Sequence, residues 1–259
     1  MPGQVGVILP VWRESRYLGC VLEQAQLCPG PVYVLWQDKP LWWYGEGEAP
    51  SGHNSRVRDV LAEFKGIDVL KMDRAPQSGE QVKGPDGDLA AVYGGYANLI
   101  KMGFSLLQNR GVKKVVLFDS DWLMTIDDTL KFFKGCEEHL SDYARVEARH
   151  YWRDWQTVYA DTGITTAFPI EFPKILEIPE FTRPNHTIPD VMCYHPSYVL
   201  TDEEMYEKVH AFGHADYYKQ RGFYEKEWLA KDDSIVKPWK TDIELPVDLV
   251  VRLKKWGAY

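Results

Sequence analysis

An α/β fold, a mostly parallel central sheet with helices on both faces, is predicted by three observations. Short apolar runs of the kind a buried strand shows recur at Val5–Leu9, Val32–Trp36, Ile67–Leu70 and Val115–Phe118. The intervals between them carry apolar residues at helical spacing. The first run stops at Pro10 and the last at Asp119, so each is as short as a strand buried on both faces. Strands alternating with helices in this way need cover on both sides of the sheet.

Each element follows from its own residues. In Glu14–Leu27, Tyr17, Leu18, Val21, Leu22 and Ala25 fall on one helical face, and Pro29-Gly30-Pro31 then breaks the chain before the second strand. A helix over Ser55–Lys65 precedes the third strand. Ala75–Asp88 is rich in glycine, proline and polar residues and reads as a loop. A long helix over Leu89–Asn109 is closed by Gly111, the residue suited to a helix C-cap. The second half is less regular: an aromatic, charged segment at Ala144–Tyr159, a proline-rich stretch at Phe168–Pro189, a strand-like Val191–Tyr194 and a helix from Asp202 to about His210.

At 259 residues the chain fits one α/β domain. Its formal charge of −8 disfavours nucleic acid or an anionic membrane as a general partner. No apolar run approaches the length of a transmembrane helix, and the N-terminus lacks the basic region of a secretory signal. Cys20, Cys28, Cys136 and Cys193 form no CxxC pair, which points to reduced thiols in the cytoplasm.

In open α/β sheets ligands bind beyond the carboxyl ends of the strands. That rule singles out Pro10–Glu14, Gln37–Asp38 and Asp119–Asp121. The sharpest feature is Asp119-Ser120-Asp121 directly after a buried strand, where two carboxylates reach one crevice. Hard divalent cations take such oxygens together with those of a bound diphosphate. Helix capping is the competing use, and Asp127 and Asp128 are equally suited to it.

These segments resemble a family. Pro10-Val-Trp-Arg-Glu14, Asp38 after the second strand and Val115-Val-Leu-Phe-Asp-Ser-Asp121, in that order, are similar to the GT-A-fold glycosyltransferases, in particular the family 2-like group with its DxD motif. Tyr93–Asn98 resembles the family's glycine-rich helix start, and Tyr194–Lys208 with Phe212–His214 a downstream His…Lys segment. Arg13 stands where the family has Asn, and Tyr96-Ala97-Asn98 lacks the family's Arg. The resemblance implies a GT-A fold, Rossmann-like, with an irregular C-terminal acceptor-side part. Residues 1–125 would be the nucleotide-sugar-binding half, and 126–259 the acceptor-side half of the same domain.

By the same resemblance, Pro10, Val11, Glu14 and Asp38 line the donor nucleoside pocket. Asp119 binds ribose or metal, Asp121 binds Mn²⁺ or Mg²⁺, and His195 is the candidate third ligand. Lys208 and His214 are weaker candidates for the diphosphate. The implied reaction moves a sugar from a UDP- or GDP-linked donor to an unknown acceptor hydroxyl with inversion. It needs a carboxylate base, for which Glu147, Asp154, Asp161 and Asp190 are available. Asp154 is preferred because Tyr151-Trp152-Arg153-Asp154-Trp155 places it among rings that suit sugar faces. Trp36, Trp42, Trp43 and Tyr44 offer a second aromatic platform. The Ala75–Asp88 loop, with Gly79, Gly84 and Gly87, suits a lid.

Three other readings compete. A haloacid-dehalogenase-like phosphohydrolase also has DxD after a strand, but Trp122-Leu123 stands where that family has Gly-Thr. A sugar nucleotidyltransferase needs a glycine-rich, arginine-containing loop after the first strand, which Pro10–Glu14 is not. A catalytically silent carbohydrate-binding protein of the same fold is the third.

Overall fold

Strict alternation along the first strands sends their side chains into two separate cores. The structure is a computed structural model and describes residues 3–11, 15–37, 54–72, 89–170, 186–211, 215–234 and 236–259. Strands β1 (Val5–Val11), β2 (Val32–Gln37), β3 (Asp68–Met72) and β4 (Lys114–Leu117) pair in parallel in the order β3-β2-β1-β4. Val5, Val7, Leu9, Val34 and Val116 enter one core, whereas Ile8, Tyr33, Leu35, Val115 and Leu117 enter the other. This is the period of two that a strand imposes.

Four helices cover the first face: α1 (Ser15–Ala25), α2 (Asn54–Ala62), and, later in the chain, Ile126–Glu138 and Val247–Lys255. They contribute Leu18, Val21, Leu22, Val57, Phe132, Leu249 and Leu253. Helix α3 (Leu89–Asn109) covers the opposite face with Leu99, Ile100, Phe104 and Leu107. It lies close to the sheet at Gly103, where a Cβ would stand 2.7 Å from Ile8 Cδ1. The later two helices are α4 (Ile126–Glu138) and α7 (Val247–Lys255), with α5 (Asp202–Ala211) and α6 (Ala215–Arg221) between them.

The sheet continues past β4. Strands β5 (Ala144–Trp152), β6 (Asp154–Pro169) and β7 (His186–Tyr198), with β8 (Trp239–Lys240) paired to β6, complete the order β3-β2-β1-β4-β6-β5-β7. β6 is antiparallel to both β4 and β5, and β7 is parallel to β5. Here the structure is more regular than the sequence suggests. β5 buries Ala144, Val146 and Ala148 and turns Arg145, Glu147 and Arg149 outward, but register shifts at His150 and Tyr151 bring two successive rings, Tyr151 and Trp152, inside. That break in alternation hides the strand. The mostly parallel α/β architecture with helices on both faces is the one expected.

Two cationic side chains brace this framework. Lys114 of β4 is fully buried, and its ammonium donates to the carbonyls of His139 and Asp142 (2.8 Å to Asp142) at the end of α4. A cation there satisfies orphan carbonyls and complements the helix dipole. Arg153, with φ of 64°, turns the chain from β5 into β6 and lays its guanidinium over Trp228, 4.4 Å from the ring centre. Trp152, Met205, Val209, Phe223 and Trp228 form a third, smaller core that fastens α5 to the sheet. Among the described residues no helix is long and apolar enough to cross a membrane.

Candidate active site

β2 and β4 flank β1, and the chain leaves β1 in opposite directions to reach them, which opens a crevice at their carboxyl ends. Pro10 and Val11 end β1 at this crevice, and Asp119 follows the end of β4 by two residues. The chain keeps to β1 for one residue beyond β4, with the Phe118 N–H donating to Ile8 O at 3.0 Å. It then turns, with the Trp122 N–H donating to Asp119 O at 3.1 Å. Asp121 lies inside that turn.

The segment following the turn is bonded on both sides. Leu123 and Tyr194 of β7 exchange main-chain hydrogen bonds of 3.1 and 2.7 Å. On the other side the fully buried Gln24 of α1 donates from Nε2 to Trp122 O and accepts from the Met124 N–H, both at 3.0 Å. Arg252 of α7 donates to Met124 O at 2.7 Å and to Cys20 O at 2.5 Å, and Glu23 receives its Nε at 2.9 Å. A sheet strand, a helix and the C-terminal helix thus hold the stretch that carries Asp121, so the carboxylate is placed by rigid elements.

β7 brings His195 to the same point. His195 Nε2 stands 3.3 Å from Asp121 Oδ1, and the two side chains are only 16% and 15% exposed. The Lys208 ammonium of α5 lies 3.8 Å from the other oxygen, Oδ2. It also donates to the carbonyl and hydroxyl of Ser197 at 2.7 and 2.9 Å. Burial opposes ionisation of Asp121, but His195 and Lys208 outweigh it and hold the carboxyl well below the usual carboxylate range. Trp122 sets its edge against the His195 ring, centroids 6.4 Å apart.

Behind His195 stands a second histidine. His195 Nδ1 and His150 Nδ1 are 2.8 Å apart, and His150 Nε2 is 2.8 Å from Thr162 Oγ1. Burial, helped by the neighbouring His195, lowers the His150 pKa to about 4. Tyr159 packs on this ring, with centroids 5.6 Å apart.

Of the residues singled out by sequence, the structure brings Asp121, His195 and Lys208 into contact, with Asp119 on the same turn. Pro10 and Val11 lie at the neighbouring strand end. Glu14, Asp38, His214, Trp42, Trp43, Tyr44 and Ala75–Asp88 lie outside the described residues. Asp154 is half exposed at the start of β6, where its Oδ2 receives Lys240 Nζ at 3.0 Å and its Oδ1 the Gln156 N–H at 2.8 Å. Asp161 pairs with Arg149 at 3.1 Å, while Glu147 and Asp190 are exposed, the latter at φ 55°.

His150, Thr162, Gln24 and Arg252 were not singled out by sequence. His150 becomes conspicuous once β5 pairs with β7, because it is then the register partner of His195.

Among the described residues no three of His, Cys, Asp and Glu converge as ligands of one ion. What converges is one carboxylate oxygen and one imidazole nitrogen, donors that suit Mn²⁺ or Mg²⁺ when diphosphate oxygens supply the remainder. The pair fits such an ion as a two-ligand anchor.

No family model matches the chain, and no curated protein matches it significantly. Among solved structures, it is similar to TarS 1–349 of S. aureus at 14% identity and TM-score 0.39, over 88% of this chain and 76% of that one. TarS 1–349 in complex with UDP-GlcNAc gives 12% identity and TM-score 0.40, over 80% and 64%. The mannose-1-phosphate geranyltransferase of Thermus thermophilus gives 11% identity and TM-score 0.34, over 59% and 42%. The chain therefore spans less than two thirds of the length of the last two structures.

Proposed function

We propose that this chain is a metal-dependent glycosyltransferase that moves a sugar from a UDP- or GDP-linked donor to an acceptor hydroxyl with inversion. The observation that carries the reading is the meeting of Asp121 and His195 at the carboxyl-end crevice, 3.3 Å apart and largely shielded from water. In this reading residues 1–125 bind the donor, with Pro10, Val11, Glu14, Asp38 and Asp119 around the nucleoside, and residues 126–259 receive the acceptor.

Asp121 and His195 would hold Mn²⁺ or Mg²⁺ together with diphosphate oxygens, with Asp119 left to the ribose, and when bound the ion would supply Lewis-acid neutralisation of charge on the departing diphosphate. The chain's own residues do the rest. Lys208 brings a second positive charge to the leaving-group side, steadied by Ser197. Asp154 takes the proton of the acceptor hydroxyl, kept ionised against partial burial by hydrogen bonds from Thr157, Lys240 and the Gln156 N–H. The four free cysteines, three of them buried, suit a reducing cytoplasm.

The test is a thermal-shift panel of UDP, GDP, CDP and dTDP, each with and without Mn²⁺, on the wild type and Asp121→Asn. A nucleotide that raises Tm only with metal, and only in the wild type, is the expected result, since ligand bound to the native state alone stabilises it. No shift with any nucleotide, or an equal shift in Asp121→Asn, would count against the site.

A further inference from the structure

Glu204 has two duties in the first turn of α5. Its Oε2 accepts the Thr201 N–H at 2.8 Å, while the Thr201 hydroxyl accepts the Glu204 N–H at 3.2 Å, the reciprocal bonds of a helix start. The same carboxylate receives Arg16 of α1 as a fork, Nε on Oε1 and Nη2 on Oε2, both at 2.9 Å. A planar guanidinium seated in this way fixes direction as well as distance.

A glutamine would serve the helix start equally well. The fork is what calls for a charged carboxylate, and it joins residues 188 positions apart in the chain. Tyr17, next to Arg16, adds a second tie. Its buried hydroxyl donates to Val199 O at 2.7 Å, in the short link from β7 to α5.

Lys208 stands four residues after Glu204, one turn further along the same face of α5. From there its ammonium reaches Asp121 Oδ2 at 3.8 Å and Ser197 at 2.7 and 2.9 Å. The apolar side of α5, with Met205 and Val209, packs into the small third core. Apolar contact is non-directional, so it holds the helix down without fixing its slide or rotation. The fork supplies that direction one turn away from the ammonium.

We propose that Arg16, acting through Glu204, is a positioning residue that sets where the Lys208 ammonium stands. It thereby sets how tightly the second phosphate of the donor's diphosphate is held. The first helix of the donor half aims a cation that the second half of the chain supplies. This inference rests on the role given to Lys208 in the reading above.

The test is calorimetric binding of UDP and UMP, with GDP and GMP in parallel, at one saturating Mn²⁺ concentration. It compares the wild type, Arg16→Gln, Glu204→Gln, Lys208→Ala and the double variant Arg16→Gln/Lys208→Ala. Lys208→Ala is expected to lower the preference for diphosphate over monophosphate about tenfold or more, as loss of a charged contact does. Arg16→Gln and Glu204→Gln are expected to lower the same preference about threefold or more while monophosphate binds as in the wild type. The double variant is expected to be no worse than Lys208→Ala, because Arg16 acts only through that lysine.

Glu204→Gln keeps the helix start and removes only the charged seat of the fork, so it separates aim from folding. An unchanged preference in both fork variants, or an equal loss of diphosphate and monophosphate, would overturn this inference and leave Lys208 in its role. A wild-type preference in Lys208→Ala would remove that role, and this inference with it.

Discussion

Gln24 reaches from α1 to hold Met124, its side-chain oxygen 3.0 Å from the main-chain N–H, while its nitrogen takes the carbonyl of Trp122. A single amide therefore satisfies two main-chain groups of the stretch that carries Asp121. Gln24→Leu keeps the volume and leaves a buried donor and a buried acceptor without partners, which cost about 1–3 kcal/mol each. Urea denaturation is expected to show a lower midpoint at unchanged slope. Mn²⁺-dependent nucleotide binding should weaken as well, because the loop loses one of its restraints. A variant as stable as the wild type would show that water replaces the amide.

Glu23 makes the docking of α7 sensitive to acid. Burial opposes its ionisation, but hydrogen bonds from Lys255, Arg252 and Trp256 outweigh that and lower its pKa from the ordinary 4.5. A carboxyl whose folded pKa is depressed stabilises fully above its unfolded pKa and loses that contribution as pH falls through the folded value. The stability difference between wild type and Glu23→Gln is therefore expected to be constant near neutral pH and to shrink below about pH 4.5. A difference that does not vary with pH would mean that the pair contributes through packing alone.

Gly19 of α1 lies against the ring of Trp256, the residue that follows α7. A Cβ on Gly19 would lie 2.1 Å from the Trp256 ring. Gly19→Ala is expected to push the indole out, breaking its stack on Phe64 (centroids 5.5 Å apart) and its bond to Glu23. The cost of such overpacking is about 1–3 kcal/mol, measurable by denaturant unfolding. Unaltered stability would place the flexibility in α7 and not in the ring.

Asp154→Asn separates binding from chemistry. With Asp154 as base, sugar transfer is expected to fall about 10²–10⁴-fold while nucleotide affinity stays at the wild-type level. A fully active variant would move the role to Glu147, Asp161 or Asp190.

The parallel half of the fold was legible because β1, β2 and β4 are buried on both faces and its helices are amphipathic. The expected helix over Glu14–Leu27 is observed as Ser15–Ala25, and the expected strand Val115–Phe118 as Lys114–Leu117. The later strands were not legible to the same degree. β5 faces partly outward with charged residues and shifts register at His150, so neither a continuous apolar run nor clean alternation marks it. Within the site, Asp121 and His195 stood out by local context. Gln24 and Arg252 did not, since a polar residue on a helix reads as solvent-facing until long-range contacts bury it.

The reversed strand β6 decides which end of the sheet each half of the chain serves. By running against both of its neighbours, it leaves β4, β5 and β7 pointing the same way. The turn after β4 and the end of β7 consequently open on one side of the molecule. Sequence drift in β7 is then constrained by parity: loss or gain of a single residue before Tyr194 would exchange it with His195 across the sheet, turning the imidazole away from Asp121. Length variation in this strand is expected to occur in pairs of residues, or in the connection preceding it.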